Sequence, residues 1–502
     1  VVSNRVAADA ASAEARFSAW PRSSGAGSSG ADSSGAGAPR LSASVISAAL
    51  GLPEPTPDQR AVIEAPPAPA LVVAGAGSGK TETMSGRVVW LVANGHVRRD
   101  EVLGLTFTRK AAGELAERID HRLAGIDEFA RRGLLPHVDA LAADGTLAGF
   151  WARAGALPPR ARRSEMVAFV DGLAERLGAV APDQDAAGDA LLSRPRVSTY
   201  NAFADAIVRE HGPRIGRDPD AALMSQSGSW LLARRVVVAS EDARLSERGE
   251  AFSSVVDAVH RLAGELLDNR IDPESVARFG EEWAAALEPL TNPALASPGD
   301  IEKFHAAMSG LPVLAGLVDD YATRKRAEDT LDFADQVAGA LEIIERAPEV
   351  AEQLREQYRV VLLDEYQDTS VIQTRLLAEV FRDSAVMAVG DPNQSIYGWR
   401  GASADNLGAF PGAFARDAEC GRFSLMVSWR NDLRILTAAN RLVADAEHRG
   451  VPVGALGARP GAAEGRVHCR FEKTIEEEAD AVARWFVEVR ARHEAAQREA
   501  VQ

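Results

Sequence analysis

Ala70-Leu71-Val72-Val73-Ala74-Gly75-Ala76-Gly77-Ser78-Gly79-Lys80-Thr81 sets the fold class of this chain. A short apolar run leads into a glycine-rich turn and a Lys-Thr pair. In such a strand–loop–helix unit, backbone N–H groups and a helix N-terminus can cradle phosphates. Gly75, Ala76, Gly77, Ser78 and Gly79 form the loop, Lys80 is placed to reach the β- and γ-phosphates of ATP, and Thr81 to ligate Mg2+. Ala74 stands where the general pattern has its first glycine.

Outward from this loop, Leu71–Val73, Val102–Phe107, Val360–Leu363, Ala385–Val389 and Phe423–Val427 read as strands buried on at least one face. Ala112, Leu115, Ile119 and Leu123 fall on one face of a helix, and Asn94-Gly95 reads as a helix stop. Short apolar runs followed by helical periodicity predict an α/β fold with a parallel sheet, with its chemistry at the carboxyl ends of the strands. Two Ala-, Leu- and Arg-rich stretches without strand pattern, 122–195 and 212–330, are expected to be helical insertions. The sheet lobe is then assembled from 44–121, 196–211 and 331–420, with 421–502 as a further part. Within that last part, Val467–Phe471 reads as a strand and Glu476 to about Arg492 as a helix, with Ala479, Val482 and Phe486 on one face. Residues 1–43, dominated by Ala, Ser and Gly, read as a flexible tail.

Val360-Val361-Leu362-Leu363-Asp364-Glu365 supplies the second half of a nucleotide site, an apolar strand ending in two carboxylates. Asp364 is the expected metal ligand and Glu365 the residue that orients water on the γ-phosphate. A lone Asp-Glu is commonly a solvated strand end, but here a phosphate loop precedes it and Gln367 and Asp368 follow.

Composition bounds the rest. The 502 residues, 46% hydrophobic and 25% charged, are enough for about three domains. No apolar run approaches the roughly 18 residues of a membrane span, and the chain starts without a signal-like stretch, so a cytoplasmic protein with no membrane partner is expected. Two cysteines, Cys420 and Cys469, are too few for a disulfide framework or a zinc site. A formal charge of −16 argues by itself against a nucleic-acid partner, yet total charge says nothing of where charge sits. Only five of the 56 basic residues are lysines, and two of those, Lys80 and Lys110, lie inside motifs. A compact ammonium is implied there.

Asp364-Glu365-Tyr366-Gln367-Asp368-Thr369-Ser370 and Val389-Gly390-Asp391-Pro392-Asn393-Gln394-Ser395-Ile396-Tyr397-Gly398-Trp399-Arg400-Gly401 closely resemble the UvrD/Rep-like superfamily 1 DNA helicases. The resemblance takes in Thr56-Pro57-Asp58-Gln59, Thr106-Phe107-Thr108-Arg109-Lys110-Ala111-Ala112, Ser198-Thr199-Tyr200-Asn201-Ala202-Phe203 and Ser428-Trp429-Arg430-Asn431. It implies that the sheet is a P-loop NTPase (RecA-like) lobe, that 421–502 begins a second RecA-like lobe, and that the whole is an ATP-dependent motor moving 3′ to 5′ on single-stranded DNA and unwinding duplex at junctions during repair or recombination. On the nucleotide side it implies that Gln59 reads adenine, an amide being able to pair with N6 and N7, that Trp429 stacks on the base, that Arg430 is an arginine finger, and that Gln394 senses the γ-phosphate.

On the DNA side, the resemblance implies that Phe107, Tyr397 and Trp399 stack on unpaired bases, with Lys110 and Arg400 on phosphates and Arg109 and Thr199 beside them. Arg109, Glu82, Asn431 and Trp429 depart from the usual residues, Glu82 standing where a basic residue often contacts the base. The Trp-Arg-Asn string and the long insertion before Thr199 look most like AdnB, the motor chain of actinobacterial helicase-nucleases, which would bring a second subunit as partner. The start without Met and the brief second lobe lead to the expectation of a piece of a longer product that does not unwind DNA alone.

Overall fold

The computed structural model describes residues 41–180, 193–247, 251–290, 298–398, 402, 405–444, 446 and 451–501. Its centre is a six-stranded sheet of β1 (Ala70–Ala74), β2 (Val102–Thr106), β3 (Arg196–Thr199), β6 (Val360–Leu363), β7 (Ala385–Gly390) and β8 (Gly421–Leu425). The described residues also form two-residue strands: β4 (Ala222–Leu223), β5 (Thr330–Leu331), β9 (Val427–Ser428) and β10 (Gly457–Ala458). In the large sheet the order is β3-β2-β6-β7-β1-β8, and every pairing is parallel. Parallel strands need crossovers and bury both faces where they lie inside the sheet, which is why β1, β2, β6 and β7 are mostly apolar and buried throughout, while the edge strands β3 and β8 are partly exposed.

The two-residue period of a strand divides each one between two cores. Ala70, Val72 and Ala74 face a cluster with Val88, Leu91, Leu115, Ile119 and Leu123 from the helices Lys80–Ala93 and Arg109–Arg131. Leu71 and Val73 face the other, with Phe203, Leu341, Leu376 and Phe410 from helices packed on the opposite side. Leu147, Phe150, Met166 and Val170, from the stretch expected to be an insertion, belong to the same core as β1. The stretch 212–330 instead builds its own core, in which Leu232, Val256, Val259, Leu317 and Tyr321 are fully buried. The chain enters and leaves that helical body through β4 and β5, which pair in parallel, Ala222 opposite Thr330.

Three expectations are corrected. The strand expected to open the second lobe is β8 at Gly421–Leu425, and it pairs with β1 as the edge of the first sheet. The break between compact units follows Met426; Val427–Ala446 and the residues from Ala455 onward form the second unit. Val467–Phe471 is not a strand, and Phe471 is fully exposed. It alternates as a strand should, but no described strand lies alongside to receive its backbone hydrogen bonds. Finally, the flexible tail does not reach residue 43: Ser42 caps the helix Ala43–Leu50, and Leu41, Ala43 and Ile46 are buried in the first core. The remainder of that tail, residues 1–40, lies outside the described residues.

Within the second unit, β9 pairs with β10, and the side-chain amide of Asn440 donates from Nδ2 to Leu456 O at 3.0 Å and accepts at Oδ1 from Leu456 N–H at 2.9 Å. The helix expected from Glu476 spans Ile475–Val501, with Val482 and Phe486 exposed.

Candidate active site

Because all six strands run the same way, the loops after β1, β2, β3, β6 and β7 emerge at one edge of the sheet. The loop after β1 turns through Gly77 and Gly79, with φ of +74° and +86°. That is left-handed backbone that glycine adopts without steric penalty. Gly75 N–H donates to Leu425 O at 3.1 Å, tying the loop to the edge strand. The helix Lys80–Ala93 has Gly79 as its N-cap, with no side chain capping it, so the first-turn N–H groups stay open to an anion.

Gln59 sits against this loop. It is the third residue of the helix Pro57–Ile63 and closes a capping box with Thr56: Thr56 N–H donates to Gln59 Oε1 at 3.0 Å, and Gln59 N–H donates to Thr56 Oγ1 at 3.2 Å. Its Nε2 donates to Ser78 O at 3.3 Å. One lone pair on Oε1 and one N–H on Nε2 remain, the complement that adenine N6 and N7 require.

Lys80 Nζ lies 2.6 Å from Glu365 Oε2, joining the loop after β1 to the loop after β6. Glu365 has a φ of +47°, one of the few non-glycine residues here in the left-handed region. Such strain is held only where the surroundings over-determine it. The surroundings are visible. Asp364 N–H donates to Leu105 O at 2.8 Å, Tyr200 OH donates to Asp364 O at 2.8 Å, and Glu365 N–H donates to Asp364 Oδ1 at 3.0 Å. Burial pushes the Tyr200 phenol well above its usual range, so it stays a donor.

Burial, followed by the charge of Glu365, raises Asp364 to about 6, and the same two causes raise Asp368 to about 6. Asp368 Oδ1 and Ser78 Oγ are buried without a described hydrogen-bond partner. Carboxylates held out of water and an orphaned acceptor suit a small, hard cation. No group of three or more His, Cys, Asp or Glu among the described residues forms a ready metal cage. Mg2+ needs none, since it keeps water and phosphate oxygens as most of its ligands.

From Glu365 a chain of hydrogen bonds runs across the strand ends. Gln367 Nε2 donates to Glu365 Oε2 at 2.9 Å, and Gln367 Oε1 accepts from Asp391 N–H at 3.0 Å. Asp391 Oδ2 accepts from Gln394 Nε2 at 2.6 Å. Gly390 makes room for this, since a Cβ there would meet Gln367 Oε1 at 2.7 Å. Just beyond Gln394, the ring of Tyr397 stacks on Phe107 with centroids 5.0 Å apart and planes 29° from parallel.

Arg109 and Thr199 line one open groove of about 300 Å³ between the helix Arg109–Arg131 and β3. Lys110 points to solvent and pairs loosely with Glu114 at 3.7 Å. Thr81 lies in the first turn of its helix, one residue beyond Lys80. Trp429 and Arg430, both exposed, follow β9 in the second unit. Trp399 and Arg400 lie outside the described residues.

Residues 55–415 match the UvrD/REP helicase N-terminal domain family, 361 of the 502 residues. This chain is a UvrD/REP helicase family member. Among curated proteins, it is similar to the ATP-dependent DNA helicase UvrD2 of Mycobacterium tuberculosis, 29% identical over 400 residues that cover 78% of this chain and 43% of the relative. The ATP-dependent DNA helicase PcrA of Bacillus subtilis is 25% identical over 399 residues, 78% of this chain and 40% of that protein. DNA helicase II of Haemophilus influenzae is 24% identical over 396 residues, with the same coverage of 78% and 40%. The chain thus spans about two fifths of the length of the curated UvrD/REP relatives it matches. No helix among the described residues is long and apolar enough to cross a membrane.

The motif strings of this UvrD/REP chain name most of the residues just described, but not their connections. Gln367 and Asp391 emerge as links only in three dimensions. Phe333 is 53% exposed, with its carbonyl accepting from Asn201 Nδ2 at 3.3 Å. An exposed phenylalanine carries no mark in sequence that separates it from a core one. Arg87, fully buried against the end of the helix Pro57–Ile63, had no motif signal either.

Proposed function

We propose that this chain is the ATP-binding portion of a DNA helicase motor that couples ATP hydrolysis to 3′-to-5′ movement along single-stranded DNA. The observation that carries the reading is the continuous contact from Lys80 through Glu365, Gln367 and Asp391 to Gln394, three residues short of the Tyr397–Phe107 stack. A phosphate loop that only switched shape would not need a base, a γ-phosphate sensor and a base-stacking pair on one chain of hydrogen bonds.

Gly75 to Gly79 and the open helix N-terminus cradle the phosphates, Lys80 binds the β- and γ-phosphates, and Gln59 reads the adenine. Thr81 and Asp364 are the residues that would hold Mg2+, which supplies charge neutralisation on the phosphate oxygens. Glu365 orients the attacking water, Gln394 registers the γ-phosphate, and Trp429 and Arg430 serve as base stack and arginine finger. A finger of that kind is worth roughly 10³ to 10⁵ in rate where it has been measured. On the DNA side, Phe107, Tyr397 and Trp399 stack on bases at about 1–3 kcal/mol each, while Arg109, Lys110, Thr199 and Arg400 meet the backbone.

The Trp429-Arg430-Asn431 string favours a second, finer reading, an AdnB-like motor within a helicase-nuclease that resects double-strand breaks together with a second subunit. Degradation of linear duplex ends by the full-length protein separates the two. The motor reading itself is tested by ATP turnover of the full-length protein with and without single-stranded oligonucleotide. Strong stimulation is expected, and equal rates would sink it.

A further inference from the structure

Arg87 is 1% exposed, and no carboxylate lies within ion-pair distance among its described neighbours. Burying a charge is tolerated only when its donors are satisfied. Here backbone carbonyls take the two terminal nitrogens: Nη1 donates to Val62 O at 3.0 Å, Ile63 O at 3.3 Å and Ala65 O at 2.7 Å, and Nη2 donates to Pro66 O at 3.0 Å, while Nε is buried without a described hydrogen-bond partner. Val62 and Ile63 are the last residues of the helix Pro57–Ile63, whose terminal carbonyls have no intrahelical donor and carry the negative end of its dipole.

That helix begins with the capping box of Gln59, so the residue against the phosphate loop and the carbonyls held by Arg87 are only about one turn apart, roughly 6 Å. Arg87 itself is two turns along the helix that starts with Lys80. The two helices also meet closely, since a Cβ on Gly86 would stand 3.0 Å from Ile63 Cδ1. One helix therefore carries both the phosphate lysine and the cation that grips the base-reading helix.

We propose that Arg87 is a positioning residue for base recognition: it fixes the Pro57–Ile63 helix against the Lys80 helix and so sets where Gln59 meets the adenine edge. This rests on the reading that ATP occupies the loop. Burial lowers Arg87 to about 10, which leaves it cationic at neutral pH. A lysine at 87 keeps the charge but brings one nitrogen where four carbonyls need a fork.

The test is equilibrium binding of ATP, GTP and inorganic tripolyphosphate to the full-length protein and its Arg87→Lys, Gln59→Ala and double variants. Arg87→Lys is expected to weaken ATP about 10-fold, the scale of a lost positioned hydrogen bond, while GTP and tripolyphosphate stay within about 2-fold. The double variant should bind ATP no more weakly than Gln59→Ala alone. Parallel loss of ATP and tripolyphosphate, or effects of the two substitutions that simply multiply, would overturn the assignment. If Arg87→Lys does not fold, hydrogen exchange on the unaltered protein decides: a non-hydrolysable ATP analogue should protect the amides of residues 59–65 and tripolyphosphate should not, and equal protection overturns the proposal. An unaltered protein that binds no ATP would instead refute the reading beneath it.

Discussion

A methyl group on Gly79 would stand 2.8 Å from Gln59 Nε2, in a residue whose φ is +86°. Gly79→Ala therefore meets two penalties, left-handed backbone at about 1–2 kcal/mol and displacement of the amide that reads the base. The expected outcome is a modest loss of thermal stability with a larger loss of ATP affinity, seen by calorimetry of binding and unfolding on one preparation. Lys80→Ala should behave differently. Its partner Glu365 is 34% exposed and can be rehydrated, so the melting temperature should move by no more than a few degrees while ATP turnover disappears. Turnover that survives in a folded Lys80→Ala protein would remove the phosphate-loop assignment. Lys80, Asp364 and Glu365 could be singled out in the sequence because each stands at a short, fixed spacing from the end of its own apolar strand, β1 for the lysine and β6 for the carboxylates. Arg87 was not, because its partners are backbone carbonyls, which any residue can supply.

Among the elements, the strands of the large sheet were readable wherever both faces are buried, as in Ala70–Ala74 and Val360–Leu363. Val467–Phe471 alternates apolar and polar residues as a half-buried strand would, but has no neighbour among the described strands, and a strand is a property of a pair rather than of a segment. Phe107 could not be separated from a core residue by its position at a strand end; the ring of Tyr397, 290 residues away, is what stacks on it. One helix of the inserted body carries a further consequence. Asp268, in Phe252–Asn269, is raised to about 7 by burial and by the charges of Glu265 and Asp332. An unfolded aspartate titrates near 3.9, so between those values the folded chain holds a proton that the unfolded chain has released. Stability from this group is complete below about pH 4 and is lost as the pH rises through about 7. Asp268→Asn should therefore raise the melting temperature at pH 8 and change it little at pH 4. A lower melting temperature at pH 8 would contradict the assignment.

For the whole molecule, one all-parallel sheet gathers the loops after β1, β2, β3, β6 and β7 at a single edge, and a helical body with its own core is inserted between β4 and β5. The parallel sheet was legible from the strand–helix alternation. The membership of β8 was not, because a strand's sequence does not say which sheet it joins. The directional part of the proposed function is tested on the full-length protein with duplexes bearing single-stranded tails. Those with 3′ tails should be unwound, and efficient unwinding of 5′-tailed duplexes alone would reverse the assigned polarity. The 2.6 Å contact between Lys80 and Glu365 bears on how such an engine idles. In this arrangement the ammonium neutralises the carboxylate through Oε2, the same oxygen that accepts from Gln367 Nε2. On the proposed function, a triphosphate settling into the loop would claim Lys80 and leave Glu365 held by Gln367 alone, so the fuel itself would lift the safety catch.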